Sequence, residues 1–343
     1  MLDRTLALPL HRAARLGEPV LVQGPRSSGK TTLLQREFPG HRYLTLNDAP
    51  HRALARQDPA GFLARLRGPA IIDDVHRAPQ LAAHLAAGPD AAPAVLLASS
   101  LRLQLPLITL ELYPPTRAER QRRPPLAIEM LGRFVPAPGF AGAVTSEWPS
   151  SDQQFLERDV RGLVNVHDLD RFERFLQVAR SRSGQILDQQ TLAAECGVAH
   201  RTVARWLAAL DIGFLTLRLP PAGLGFGRRL VKSPKLHFLA GGGFESQAIS
   251  EIFRNTHHAG KAADLRYWRD SNGLEIPLVI QSETTEAMPV SIAAVPTPAE
   301  VAALRRWMEL AGVRKAAIIA QRADSVPGHH PPNRVLRYSL HQL

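Results

Sequence analysis

The first third of the chain alternates short apolar runs with amphipathic ones. EPVLVQG, HRYLTLND, GPAIIDDV, APAVLLASS and PLITLELY each read as a strand. TTLLQREF reads as a helix that Pro39 and Gly40 stop. Residues 51–67 read as a further helix, with Arg on one side and Ala and Leu on the other. Strands separated by helices predict a parallel α/β sheet. Residues 124–150 are rich in Pro, Gly and Ser and read as a linker or a small lid.

The pattern then changes. DQQFLERDVRGLV and DLDRFERFLQVARS carry apolar positions at helical spacing. After Gly184 the chain reads as helix, turn, helix and strand, ending at LRLPP. Beyond it, KLHFLA, LRYWRDSNGLEIPLVIQ and PVSIAAV are strand candidates. VAALRRWMELAGV is a helix, RKAAIIA a strand and SVPGHHPPN a loop. No internal repeat is present. The expected division is 1–145, 146–220 and 221–343.

No stretch reads as a membrane span. PAVLLASSLRLQLPLITLELY is interrupted by Arg102, Gln104 and Glu111, whereas a span needs about 20 mostly apolar residues. The N-terminal TLALPL is shorter than a signal-peptide core. The expectation is a cytoplasmic chain with no membrane partner.

Composition sharpens this. A length of 343 residues suits two or three domains. With 45% hydrophobic and 21% charged residues, a wholly disordered chain is excluded. The single cysteine, Cys196, excludes a disulfide framework and suits a reducing compartment. The net charge of +11 points to an anionic partner. That charge is uneven: +6 over 1–150, zero over 151–225 and +5 over 226–343. Only 5 of the 42 basic residues are lysines.

One of those lysines lies in GPRSSGKT, which fits GxxxxGK(S/T) between a predicted strand and a predicted helix. Glycines let backbone amides converge on phosphate oxygens, and the helix N-terminus adds partial positive charge. The candidate nucleotide-binding residues are Gly24, Pro25, Arg26, Ser27, Ser28, Gly29, Lys30, Thr31 and Thr32. Lys30 would reach the β- and γ-phosphates, and Thr31 would offer a hydroxyl to Mg²⁺. In PAIIDDVHRAP an apolar strand ends in two acids. Asp73 is the candidate partner of Mg²⁺ and Asp74 the candidate catalytic carboxylate. The expected cofactors are therefore ATP and Mg²⁺.

LAAECGVAHRTVARWLAAL fits a helix–turn–helix, with Ala193 and Ala194 before the Gly197 turn and Val203 and Leu207 facing inward. Arg201 and Arg205 would share an exposed face that could meet DNA. The alternative is a winged-helix spacer. The zero net charge of this third favours the spacer, because phosphate contacts dominate DNA affinity.

Taken together, GPRSSGKTTLL, IIDDVHRAP, LERDV, FERFLQVARSRSGQILDQQTLAAECGV, RRLVKSPKLHF and LRYWRDSNGLEI resemble a family of bacterial and archaeal AAA-type ATPases. These carry a winged-helix segment and a C-terminal domain similar to the PD-(D/E)xK restriction-endonuclease-like fold. The resemblance spans about residues 15–295. It implies an α/β P-loop domain, a helical winged-helix middle and a nuclease-like α/β C-terminal domain.

The departures from the family bear on activity. Asp74 stands where the family usually has Glu, which implies bound nucleotide and slow hydrolysis. Ala98, Ser99 and Ser100 stand for a Thr-Gly-Ser run, leaving Ser100 as the best sensing hydroxyl. The Ala-Gly-Arg turn before the fifth strand has no counterpart. Of four nuclease groups, Glu245 persists, Pro277 replaces an aspartate, and Ser291 and Ala293 replace an acid and a lysine. The resemblance thus implies no nuclease activity.

Other residues have plainer readings. His257, His258, His329 and His330 read as loop histidines, and Trp206, Trp268 and Trp307 as core. Arg158 and Arg161 could be arginine fingers or members of structural ion pairs with Glu157 and Asp159. Two functions remain open: a weak Mg-dependent ATPase, or a catalytically dead nucleotide-gated switch or DNA-associated scaffold. A homo-oligomer and an unidentified protein partner fit either one.

Overall fold

The computed structural model describes residues 2–88, 94–122, 169–224, 226, 230–261, 264–282, 285–321 and 334–339. Val20–Gln23 forms strand β1, and its alternation divides the first core in two. Val20 and Val22 face one layer, packed with Leu6, Leu10, Leu33 and Leu34. Leu21 faces the other, packed with Phe62, Leu81 and Leu85. Successive strand side chains point to opposite faces, so a strand covered on both sides must be apolar throughout.

The covering helices come in chain order. Helix α1 is Ala7–Ala14 and α2 is Lys30–Glu37, on the Val20 side. Strand β2 is Arg42–Thr45, followed by α3, Ala49–Gln57, and α4, Pro59–Ala64. Strand β3 is Ala70–Asp73, α5 is Pro79–Ala86, β4 is Val95–Ser99 and β5 is Ile108–Glu111. A short helix α6, Arg117–Arg120, closes the unit with a capping box between Thr116 and Glu119. The sheet order is β2-β3-β4-β1-β5. All four pairings are parallel.

The five strands lie where the hydrophobic pattern predicts them. The single helix predicted over 51–67 is instead two. Asp58 caps the second, accepting a hydrogen bond from Gly61 N at 2.8 Å, and Pro59 lacks the amide needed to continue the first. Helix α1 was not predicted. It lies in the N-terminal run that the sequence reading weighed only as a targeting segment.

The middle unit starts with helix α7, Leu169–Ser181, and the two-residue strand β6, Gln185–Ile186. Helix α8, Gln189–Cys196, is capped by Asp188, whose carboxylate accepts from Gln190 N and Thr191 N. It ends on left-handed Gly197, and α9, His200–Ile212, follows. Ala193 is buried at the crossing but Ala194 is exposed, so one of the two predicted small residues makes the contact. Trp206 is fully buried, with ring centroids 5.5 Å from Phe172 and 5.2 Å from Phe175. Strand β7 is Thr216–Leu219 and β8 is Lys235–Phe238. Strand β8 pairs antiparallel with both β6 and β7. The three-stranded sheet therefore draws on both sides of the boundary expected at residue 220.

The last unit begins with α10, Phe244–His258. Strand β10, Glu275–Ser282, then pairs antiparallel with both β9, Asp264–Arg269, and β11, Thr285–Ile292. Helix α11, Pro298–Ala311, leads to β12, Lys315–Ala320, and β13, Arg334–Ser339, which continue the sheet in parallel. The order is β13-β12-β11-β10-β9. Helix α10 packs Ala248, Ile249 and Ile252 on one sheet face, and α11 packs Val301, Leu304 and Trp307 on the other. Trp268 and Trp307 are buried there, as predicted. His257 and His258 are not loop residues. They form the last turn of α10, and His258 is fully buried. The segments holding Arg158, Arg161, His329, His330, the 124–150 lid and the helix over DQQFLERDVRGLV lie outside the described residues.

Truncating Trp206 to Ala should cost about 3–5 kcal/mol, through lost burial and the cavity left between α7 and α9. Urea denaturation followed by far-UV circular dichroism would measure it. A cost below about 1 kcal/mol would mean that this ring does not organise the middle unit.

Candidate functional site

The loop between β1 and α2 is shaped by backbone geometry. Gly24 follows β1 at φ 156°, and a Cβ there would lie 1.9 Å from the Leu112 carbonyl oxygen. Only glycine fits so close to the strand exit. Gly29, left-handed at φ 92°, is the N-cap of α2. Ser27 also takes a positive φ, 58°. The turn directs the N-terminus of α2 back toward the sheet, where its unpaired amides and dipole favour an anion.

Lys30 opens α2 and is buried. Its ammonium donates to the carbonyls of Gly24 at 2.8 Å and Pro25 at 2.7 Å, within the loop itself. Thr31 Oγ1 donates to Asp73 Oδ2 at 2.6 Å. The two sequence motifs, 42 residues apart, therefore meet in one hydrogen bond. Ser28 is buried, Arg26 half-buried and Thr32 exposed on the helix.

Asp73 ends β3, and its Oδ1 accepts the Asp74 amide at 2.8 Å. Asp74 sits in the left-handed region at φ 57°. Burial raises its carboxyl above the ordinary aspartate range and Asp73 adds to this, while Arg26, Arg77 and Lys30 oppose. Two residues that the motifs did not indicate complete the arrangement. Asn47, just after β2, donates from Nδ2 to Asp74 Oδ2. Tyr43 OH donates to Asp73 Oδ2 at 3.0 Å, and burial followed by the Asp73 charge pushes its phenol well above its usual range. Both come from the strand beside β3, so only sheet order could have found them.

At the end of β4, Ala98 is packed in the core. Ser99 Oγ closes a local turn with Leu101, accepting its amide at 3.1 Å. Ser100 is 5% exposed, and its Oγ has no hydrogen-bond partner. A buried hydroxyl without a partner is uncommon and marks a place where an absent group could bind. The buried Lys30 ammonium, the Thr31–Asp73 pair and this hydroxyl fit a magnesium-bound nucleoside triphosphate.

Residues 17–127 match an AAA domain family. This segment holds the loop, Asp73, Asp74 and the whole parallel sheet. Residues 147–242 match a domain of unknown function (DUF8612), and residues 243–343 lie outside both matches. No curated protein matches the chain. The chain thus carries an AAA domain, of a type that binds nucleotide, usually with Mg²⁺, and often oligomerises. Among the described residues, no helix is long and apolar enough to cross a membrane.

The residues compared in the sequence with a nuclease centre sit in a different environment. Glu245 lies in the first turn of α10 and Glu275 begins β10. Between them is Lys235, whose side chain is 4% exposed. Its ammonium donates to Glu245 Oε1 at 3.0 Å and also to Glu275 Oε1. Pro277 lies where the β9–β10 register shifts, and Ser291 is buried on β11. Burial raises the Glu245 carboxyl, Lys235 lowers it and Glu275 raises it again.

Replacing Lys235 with Met should therefore strip Glu245 of its cation and leave Glu275 with Arg269 alone, at a cost of about 3–5 kcal/mol near neutral pH. The Glu245 carboxyl, already raised by burial, would then titrate still higher in the folded chain than in the unfolded one. The folded state would bind more protons, so the penalty should shrink as pH falls through that raised range. Thermal unfolding of both forms from pH 7 to pH 4.5 would show it. A penalty that does not change with pH would contradict the electrostatic account.

Proposed function

We propose that the chain binds Mg·ATP at its AAA domain and hydrolyses it slowly, while its C-terminal unit is nuclease-like and does not cut. The Thr31–Asp73 hydrogen bond beneath the glycine loop carries this reading. It joins the hydroxyl and the carboxylate that would hold Mg²⁺, next to the ammonium that would meet the phosphates. Bound there, Mg²⁺ would neutralise charge on the β- and γ-phosphate oxygens.

The chain's own groups supply the rest. The loop amides and the start of α2 would orient the phosphates, and Lys30 would leave the Gly24 and Pro25 carbonyls for them. Asp74 would orient the attacking water and accept its proton, with Asn47 fixing the carboxylate. Ser100 would donate to the terminal phosphate. Asp74 is a methylene shorter than Glu, and misplacement near one ångström can cost on the order of 100-fold in rate.

The Asn47 contact also favours a second reading, a nucleotide-gated switch that does not turn over. A donor held on Asp74 Oδ2 favours the ionised carboxylate and makes it a weaker base toward water. For the remaining units we propose a winged helix, built from α8, α9 and the β6-β8-β7 sheet, and a restriction-endonuclease-like core. The helix, three strands, helix, strand order from α10 to β12 supports the latter. Arg201 and Arg205 are exposed on α9, yet the middle third is neutral. This favours a spacer over a DNA reader.

Nucleotide affinity and phosphate release, measured on one preparation, should separate these readings. Wild type should bind a fluorescent ATP analogue in the presence of Mg²⁺, and Lys30→Ala should weaken binding at least about tenfold, or 1.4 kcal/mol. Asp74→Glu should raise the slow release rate. An equal or lower rate in that variant would sink the proposal of slow hydrolysis. Binding with no release in either form would favour the switch.

The C-terminal unit makes a separate prediction. Purified chain with Mg²⁺ or Mn²⁺ should leave supercoiled plasmid intact. Nicking that disappears in Glu245→Ala would overturn the inactive assignment.

A further inference from the structure

Arg4 lies outside the matched AAA segment, yet it reaches the phosphate loop. Its side chain is 8% exposed. Nη1 donates to the Ser28 carbonyl at 2.7 Å, Nη2 to the Tyr113 carbonyl at 2.5 Å and Nε to Glu119 Oε2 at 3.2 Å. A trans peptide points its carbonyl and the following N–H in opposite directions. With the Ser28 carbonyl held on Arg4, the Gly29 N–H points away from Arg4. That N–H belongs to the turn that opens α2, where backbone amides would meet phosphate.

Glu119 gathers the other end. It accepts the Thr5 amide at 2.8 Å and the Thr116 amide at 3.0 Å. It also lies 3.2 Å from His258 Nδ1, in the last turn of α10. His258 Nε2 accepts the Tyr113 amide at 2.9 Å, so the ring is neutral and carries its proton on Nδ1, facing Glu119. Burial lowers the histidine's basicity in the same sense. Burial alone would raise the Glu119 carboxyl. Hydrogen bonding to His258, the Arg4 charge and the Thr116 amide outweigh it and hold the group ionised. Two turns earlier on α10, Glu251 accepts the Arg117 amide and pairs with Arg254. The C-terminal half of α10 is thus docked on the same 113–119 segment that holds Arg4.

We propose that Arg4 is a positioning residue that couples nucleotide occupancy of the loop to the docking of α10. The proposal rests on the nucleotide-binding reading above. Phosphate bound at the loop would fix the Ser28–Gly29 peptide and so strengthen the carbonyl contact to Arg4. A fixed guanidinium holds Glu119, and Glu119 holds His258. Linkage makes the effect mutual: docking of α10 raises nucleotide affinity by the same factor by which nucleotide favours docking.

Hydrogen exchange on the full chain tests this. Addition of Mg²⁺ and a non-hydrolysable ATP analogue should slow amide exchange over residues 251–258 at least about fivefold, the lower end of common coupling factors. Arg4→Lys keeps the charge but lacks the planar fork, so it should bind the analogue more weakly and lose the exchange response. His258→Ala is remote from the loop yet should also weaken binding. The double variant should weaken it by less than the product of the two single effects. Unchanged α10 exchange in a wild type that binds the analogue would overturn the coupling and leave the nucleotide reading intact. Multiplicative effects of the two substitutions would do the same. Wild-type binding no tighter than that of Lys30→Ala would overturn both. The wild-type exchange measurement needs no variant, so it decides the matter even if a variant fails to fold.

Discussion

The approach of Gly24 to the Leu112 carbonyl sets the geometry of the first unit. Strand β1 ends there with β4 on one side and β5 on the other. The Gly24 amide donates to Ser99 O, and the Leu112 amide donates to Gln23 O. Three strand ends therefore meet within one residue of each other. Any side chain at position 24 would push β5 away from β1. Everything placed around the loop depends on that meeting: Lys30 over the β1 exit, Asp73 on the far side of β4, and Ser100 just beyond β4. A nucleotide site in an open parallel sheet needs this convergence of strand C-termini.

The same strand exit ties the AAA domain to the rest of the chain. Leu112 leads directly to Tyr113, whose ring lies among Phe214, Phe253 and His257. Phe214 lies just beyond α9, and Phe253 and His257 lie on α10. Arg102, in the loop after β4, stacks on Phe214 and donates to Glu111. The segments after β4 and after β5 therefore both carry side chains that pack against the units beyond. Tyr113 is fully buried in these contacts, whereas Arg102 keeps part of its side chain in solvent.

Sequence pattern revealed those parts of the site that are local in the chain. The loop, Lys30, Thr31 and the acid pair are contiguous motifs with fixed spacing, and the structure brings them together. The five strands were legible because buried parallel strands are short, continuous apolar runs bounded by turn residues. Asn47, Tyr43 and Arg4 were not legible. Each is a common polar residue in an ordinary run, and each acts through a neighbour set by sheet order or by a contact spanning 24 to 115 residues. Their only local cue was a polar residue at the end of a predicted strand or before an amphipathic run. His258 was misread for a related reason. The pair His257–His258 precedes Ala259 and Gly260, which look like a loop but are the stop signal of α10.

Lysine scarcity gains a physical reading from the same comparison. Arginine forms planar, bidentate pairs, while lysine places a compact charge at a point. Both lysines that the structure buries are used as point charges. Lys30 sits among loop carbonyls, where phosphate oxygens would replace them. Lys235 sits between the Glu245 and Glu275 carboxylates, on the junction of α10 with β10. An ammonium there satisfies both carboxylates from a single point. Without it, Glu245 would face Glu275 with no cation of its own, only Arg269 on the far oxygen of Glu275, and the junction of α10 with β10 would be destabilised.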